Sequence, residues 1–344
     1  MKKWFSLTMF LTFLLTGVGI FLVKFHSQPS QKEAPPPKTG TNPQQQVIGF
    51  YPYWNLNQIN EDSFKNLTSV YYFAISVNQD GTFDKNDLGW IRLSSDSFNK
   101  LRNLASTNHV RFGVTIINPV PNKTSSSSVV SLMKTYDFTD LNLDLENAAI
   151  SNEYITNLTT SVKKELPEAK ISVDLLSDAA SKINPNVDNI IIMAYDYNRL
   201  NAISAGPVSP QPQVLKSVEE FLDRVPPEKL ILGVPLYGYE WPTLDAAKNS
   251  YVISSSRGPE LSTYKRSLKT IKENAIVVDF DDQTKSPWFS YYDETSATWR
   301  QVWFENERSL NYKMKIITDY NLAGTAIFAL GYEGSFDLLS KLNF

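Results

Sequence analysis

The chain has 344 residues, 42% of them hydrophobic, with 33 basic and 36 acidic side chains and a net charge of −3. Those charges are mixed along the sequence, so they build no strong field for nucleic acid or anionic lipid, and nucleic acid is not an expected partner. Cysteine is absent and the histidines are His26 and His109, which removes disulfides, thiolate nucleophiles and Cys/His metal sites and turns attention to carboxylates and tyrosines, with no metal and no cofactor expected.

The amino terminus opens with Lys2 and Lys3, followed by 20 uncharged residues, Trp4 to Val23. As a helix this run spans about 30 Å, the thickness of a bilayer's hydrocarbon. The lysines place residues 1–3 in the cytoplasm, residues 4–23 across the membrane as a signal anchor, and the remainder outside the cell. The alternative is a cleaved signal peptide and a secreted product, but no small-x-small site follows the apolar run. Residues 24–46 form a Pro/Gln-rich linker with little to bury, a solvated spacer that holds the next domain away from the membrane.

From residue 47 to 344 eight apolar runs recur, at 47–54, 69–77, 110–117, 141–146, 170–176, 189–196, 229–237 and 324–330. Helix-like segments lie between them, such as 152–165 and 214–224, the latter with Leu215, Val218, Phe221 and Leu222 at helical spacing. Eight strands alternating with helices predict an α/β fold of the (β/α)8 TIM-barrel type. No phosphate-binding glycine loop follows the first run, which argues against a nucleotide-binding sheet. The interval between the seventh and eighth runs exceeds what one crossover helix needs. It holds β-like pieces at 275–280 and 287–292 and a helix candidate at 309–320, so a small α+β insertion is expected at about 239–308.

The fourth run, L-N-L-D-L-E, alternates strictly. Leu141, Leu143 and Leu145 share one face of a strand, and Asn142, Asp144 and Glu146 share the other. In a closed parallel barrel the leucines suit the surrounding helices, and the polar row rises inside the barrel toward the carboxyl-terminal mouth, where active sites of this architecture lie. Two confined carboxyls about 6.6 Å apart along one strand face cannot both ionise freely, so one pKa rises and a general acid results.

This row resembles the D-G-x-D-x-D-x-E strand of glycoside hydrolase family 18, the chitinase-like barrels. It is closer to D-G-V-N-I-D-F-E, the pattern of a branch resembling spore-cortex and peptidoglycan-lytic N-acetylglucosaminidases. Glu146 matches the acid, Asp144 the last aspartate and Asn142 the middle position, while Thr139 and Asp140 replace the first aspartate and glycine. Further segments resemble the family in order: G-F-Y-P-Y-W (49–54), M-A-Y-D (193–196), A-G-P-V-S-P (205–210), G-V-P-L-Y-G-Y-E-W (233–241), and S-P-W-F-S-Y with V-W-F-E-N (286–291, 302–306). Phe328 stands where the family usually has a tryptophan beneath the sugar.

The resemblance implies a glycosidase acting by substrate-assisted retention. In that scheme the sugar's acetamido oxygen attacks its own anomeric carbon while Glu146 protonates the leaving oxygen and then serves as base for water. Asp144 holds the acetamido N–H and Tyr195 donates to the acetamido oxygen. Asn142 and Asp196 line the site, and Tyr51, Tyr237, Trp241 and Phe328 are candidate sugar-stacking rings, with Trp54 and Tyr239 in reserve. Packing beneath loops is the structural reading of each ring taken singly. The expected partner is an N-acetylglucosamine-containing polysaccharide, in particular cell-wall peptidoglycan, cut by a monomer tethered to the membrane through its amino-terminal helix. A chitinase or chitooligosaccharidase, or a catalytically weak glycan-binding lectin, are the alternatives.

Overall fold

A computed structural model of the chain describes residues 45–117, 119–121, 123–145, 152–177, 179 and 186–344. The expected anchor at 4–23 and nearly all of the linker lie outside the described residues. Among the described residues no helix is long and apolar enough to cross a membrane.

Eight parallel strands close into a barrel. In chain order they are β1 (Gln46–Pro52), β2 (Ser69–Ser76), β3 (Arg111–Ile117), β4 (Asp140–Asp144), β5 (Lys170–Leu176), β6 (Asn189–Met193), β7 (Leu230–Pro235) and, after the insertion, β13 (Gly324–Phe328). Each pairs with its sequence neighbour, and β1 pairs with β13 to complete the ring. Every one of the eight apolar runs overlaps its strand. Their Val, Ile, Phe and Tyr content suits a pleated surface covered on both sides.

Helices α1 (Leu88–Arg92), α2 (Asp96–Thr107), α3 (Ser126–Tyr136), α4 (Asn152–Glu165) and α5 (Gln211–Leu222) stand between the strands. Polar caps fix where helices start: Ser95 Oγ accepts from the Phe98 amide at the head of α2. The α3 and α4 residues Val129, Met133, Ile155 and Leu158 share one core with Leu141, Leu143 and Leu145 of β4 and its end. The leucines therefore face the helices, as their alternation predicts. Inside the barrel a separate core forms from Ile48, Phe50, Tyr71, Ile191, Ile231 and Ala326.

Between β7 and β13 lies the insertion. Strands β8 (Tyr237–Thr243), β9 (Glu260–Thr263), β10 (Asp279–Asp281), β11 (Ser286–Asp293) and β12 (Thr298–Trp303) form an antiparallel sheet in the order β10-β11-β12-β8-β9, with α6 (Tyr264–Glu273) between β9 and β10. Helix α7 (Glu307–Asp319) then leads back to β13. It starts at a reciprocal cap in which Asn306 and Ser309 each bond the other's backbone amide. The insertion begins two residues before its expected start. Residues 275–278 are not strand; of that expected piece only Asp279 and Phe280 belong to β10, which pairs with β11.

One face of the insertion sheet packs Phe289 and Val302 against Ile271 and Ile276. On the same face Glu240 is fully buried and accepts from Arg300 Nε (2.8 Å), Arg266 Nη2 (2.9 Å) and Tyr291 Oη (2.8 Å), with Arg257 Nη2 at 2.9 Å. The other face carries Tyr239, Trp241 and Trp303, which pack with Ala205 and Val208 of the segment following β6. The sheet is thereby held against the barrel's carboxyl-terminal side.

Candidate active site

Asp144 is the last residue of β4 and lies 9% exposed at the carboxyl-terminal end of the barrel. Below it Asn142 is fully buried, and its Nδ2 donates to Asp174 Oδ1 at 2.7 Å and to Ser172 Oγ at 3.0 Å on β5. Asn142 and Asp144 of the polar row thus lie inside the barrel, as their alternation with the leucines demands. Glu146, the third member, lies outside the described residues.

Asp174 and Ser172 are site neighbours that the sequence reading did not single out. The signal was present, because K-I-S-V-D-L-L alternates as β4 does and places Ser172 and Asp174 on one face. At the base of the same wall Asp140, in the position of the family's glycine, is buried and receives the guanidinium fork of Arg111 on β3. The inward carboxylate there is neutralised by a pair rather than left to the cavity.

The strand β6 ends at Met193, and Tyr195 and Asp196 follow one residue on, after Ala194. Asp196 adopts φ +62°, a left-handed conformation that aspartate tolerates better than most residues. Its Oδ1 accepts from Tyr237 Oη and Tyr239 Oη, each at 2.8 Å. Burial, followed by the Asp196 charge, pushes both phenols well above their usual range, so they remain protonated donors. Tyr195 lies parallel to Phe328, centroids 6.4 Å apart and planes 17° apart, and meets the Tyr237 ring edge-on at 6.3 Å. Gly233 on β7 permits this seat, since a Cβ there would stand 3.2 Å from the Tyr195 ring and 2.7 Å from the Ile192 carbonyl.

Phe328 closes β13 and is only partly buried, with Phe73 at 5.1 Å and Phe50 at 6.1 Å beneath it. Trp54, just past β1, meets Phe73 edge-on at 6.0 Å and is 46% exposed, its Nε1 donating to Tyr332 Oη at 3.2 Å. These rings form an aromatic floor at the same end of the barrel as Asp144. Asp144, Tyr195, Asp196, Trp54 and Phe328 each end or follow a barrel strand.

Three expected stacking rings are not offered to a ligand. Tyr51 is fully buried in the core between barrel and helices, and its hydroxyl donates to the Gln58 carbonyl. The phase of β1 is the reason: Ile48 and Phe50 face inward, so Tyr51 must face outward. Trp241 is likewise fully buried between the insertion sheet and the segment after β6, its Nε1 donating to the Arg199 carbonyl. Tyr237 is nearly buried and serves Asp196 instead of presenting an open face. His109 sits in the exposed turn before β3, away from this layer.

A model of glycosyl hydrolases family 18 matches residues 46–333. The chain is 30% identical over 146 residues to the putative sporulation-specific glycosylase YdhD of Bacillus subtilis (strain 168), covering 42% of this chain and 32% of that protein. It is 22% identical over 292 residues to the cortical fragment-lytic enzyme of Bacillus anthracis, covering 77% and 65%. It therefore spans between about a third and two thirds of the length of these relatives. Among solved structures, the spore cortex-lytic enzyme SleL of Bacillus megaterium QM B1551 superposes with a TM-score of 0.69 at 19% identity, over 89% of this chain and 75% of that one.

Proposed function

The chain belongs to glycoside hydrolase family 18, and on that premise we propose that it hydrolyses β-linked N-acetylglucosamine-containing glycan, in particular cell-wall peptidoglycan. The observation that carries this reading is the gathering of Asp144, Tyr195 and Asp196 with the aromatic floor of Phe328 and Trp54 at the carboxyl-terminal end of one barrel. The cell-wall choice is supported by relatives named a cortical fragment-lytic enzyme and a sporulation-specific glycosylase.

The proposed chemistry is substrate-assisted retention. A 2-acetamido sugar lies across the mouth with its N–H on Asp144 and its carbonyl oxygen against Tyr195 Oη. The acetamido oxygen attacks the anomeric carbon as Glu146 protonates the leaving glycosidic oxygen. The positive charge of the cyclic intermediate is stabilised by the negative charge beside it, and Glu146 then takes a proton from the water that reopens the ring. Asp196, held by two phenols, contacts the sugar or the acid.

The membrane tether belongs to the same proposal: residues 4–23 anchor the protein, and the barrel works outside the cell on a wall within reach of the linker. Mature protein whose amino-terminal sequence begins near Ser27 would overturn it.

The test of the activity is incubation of the full-length protein and of Glu146→Gln with peptidoglycan fragments and, separately, with chitooligosaccharides. New reducing ends from peptidoglycan, absent in the variant, support the proposal. Turnover of chitooligosaccharides alone moves the assignment to a chitinase, and binding without turnover of either moves it to a lectin.

A further inference from the structure

Arg199 lies three residues beyond Asp196 in the segment that follows β6, with 57% of its side chain exposed. Its main chain is held in place: the carbonyl accepts from the buried Trp241 indole at 3.2 Å and from the Ala202 amide at 3.0 Å. Its Nε donates to the Asp196 main-chain carbonyl at 3.2 Å and stands 4.0 Å from Asp196 Oδ2. The guanidinium thus turns its Nε edge toward the Asp196 backbone. Among the described residues no hydrogen bond engages Nη1 or Nη2, so both terminal groups of the fork are available together.

The neighbouring carboxylate does not consume this charge. Asp196 Oδ1 already accepts from Tyr237 Oη and Tyr239 Oη, each at 2.8 Å. The 4.0 Å separation of Oδ2 from Arg199 Nε exceeds the about 2.7–2.9 Å of a charge-assisted hydrogen bond. The Arg199 charge also reaches the Tyr239 hydroxyl, where it works against the rise in pKa that burial and Asp196 impose. Residues 197–205 hold no other charged side chain. An unpaired cation therefore stands over Asp196 and the two phenols, next in sequence to Tyr195, beside the place that the glycosidase reading gives to the acetamido sugar.

Such a group has a specific chemical complement. The planar fork of arginine matches the two oxygens of a carboxylate, a match that hydroxyls and amides do not provide. A chain of N-acetylglucosamine alone is neutral. A chain that carries lactyl ethers on alternate sugars brings one acid per repeat, either free or on a peptide joined to it. We propose that Arg199 is a specificity-determining residue that binds this carboxylate, and so selects peptidoglycan over neutral chitin-type chains. The placement of the sugar rests on the glycosidase reading; the carboxylate contact is measurable without turnover.

The test is calorimetric binding to full-length Glu146→Gln protein, with Arg199 intact or replaced by Gln. Three soluble glycans of equal length are compared: one bearing peptides, one stripped of peptide so that the lactyl carboxylate is free, and the stripped chain with that carboxylate converted to a primary amide. With Arg199 present, a carboxylated glycan is expected to bind about 10- to 100-fold more tightly than the amide, and Arg199→Gln removes the advantage. An advantage for the stripped chain places the acid on the lactyl ether, and one confined to the peptide-bearing chain places it on the peptide. Arg199→Lys keeps the charge without the fork and is expected to restore only part of it; thermal unfolding checks that both variants fold. Equal affinity for all three glycans, no binding of any, or an advantage that survives Arg199→Gln overturns the proposal. If the advantage depends on Arg199 but protein with Glu146 intact cleaves none of these glycans, the contact stands and the glycosidase reading falls; cleavage without the advantage gives the reverse.

Discussion

Tyr237 Oη donates to Asp196 Oδ1 at 2.8 Å, tying the first residue of β8 to the segment that follows β6. Tyr239 adds a second bond to the same oxygen. A hydrogen bond to an ionised group contributes about 1.5–3 kcal/mol, so Tyr237→Phe is expected to lower kcat/KM about 10- to 100-fold, with a smaller loss for Tyr239→Phe because Tyr237 still holds the oxygen. The double variant should lose more than either single one. Steady-state kinetics on solubilised peptidoglycan, with thermal unfolding as a control for folding, checks this.

Trp54 is the most exposed ring of the aromatic floor, and its indole N–H reaches Tyr332 Oη. Removing an exposed ring costs little stability, whereas loss of a stacking face costs about 0.5–1.5 kcal/mol of ligand binding. Trp54→Ala is therefore expected to raise KM about 2- to 10-fold with kcat nearly unchanged. Equal KM values for the two proteins would remove Trp54 from the sugar-binding surface.

Phe328 stands against Tyr195, Phe73 and Phe50 and leaves part of its ring open. A larger indole at this position would offer more stacking area to a sugar, so Phe328→Trp is expected to lower KM a few-fold. The neighbouring rings are 5.1–6.4 Å away centre to centre, and the substitution is expected to cost about 1–3 kcal/mol of overpacking strain. Kinetics and thermal unfolding measured together separate the two effects.

Much of this architecture was legible because the physical signal is local. Strand β4 announces itself by strict alternation, and the same alternation assigned Asn142 and Asp144 to the interior. The insertion was legible from chain length alone. The phase of β1 was not, because G-F-Y-P-Y-W places large aromatics at successive positions and so offers a ring to either face. Phe50 faces inward and Tyr51 outward, a choice settled by packing with Tyr71 and Ile231 from distant strands. The burial of Trp241 depends on Trp303, Ala205 and Val208, partners 33 to 62 positions away that no local pattern reveals. Asp174 was readable in its own strand, but its bond to Asn142 appears only once β4 and β5 are set side by side.

The Glu240 cluster gives the insertion a polar core in which one carboxylate meets three arginines. Glu240 and Arg300 are both fully buried, and Arg257 and Arg266 add their charges to the same carboxylate. Replacing Glu240 by Ala leaves three guanidinium groups facing one another with Glu260 and Asp293 as the remaining acids. Breaking a buried pair from one side costs about 3–5 kcal/mol. The variant is expected to unfold at a clearly lower temperature, with Tyr239 and Trp241 losing their fixed positions on the opposite face of β8. Near-ultraviolet circular dichroism and calorimetry test both parts.

Glu333, in the loop after β13, makes a prediction about pH. Its carboxyl is fully buried and accepts from Ser63 Oγ at 3.1 Å and from the Gly331 N–H at 2.7 Å. Burial raises its pKa from the ordinary 4.5 to about 7, against the opposing effect of those donors. The folded protein therefore holds a proton that the unfolded chain releases above pH 4.5. Between 4.5 and about 7 the native state binds more protons than the unfolded state, so stability falls as pH rises through this window and levels off above it. The size of the effect is on the order of 3 kcal/mol. Glu333→Gln has no ionisation there; its amide oxygen accepts from Gly331 and its amide nitrogen donates to Ser63 Oγ. The difference in melting temperature between variant and wild type should be small at pH 4.5 and should grow in favour of the variant by pH 8. A constant difference across that range would show that the Glu333 carboxyl titrates alike in both states.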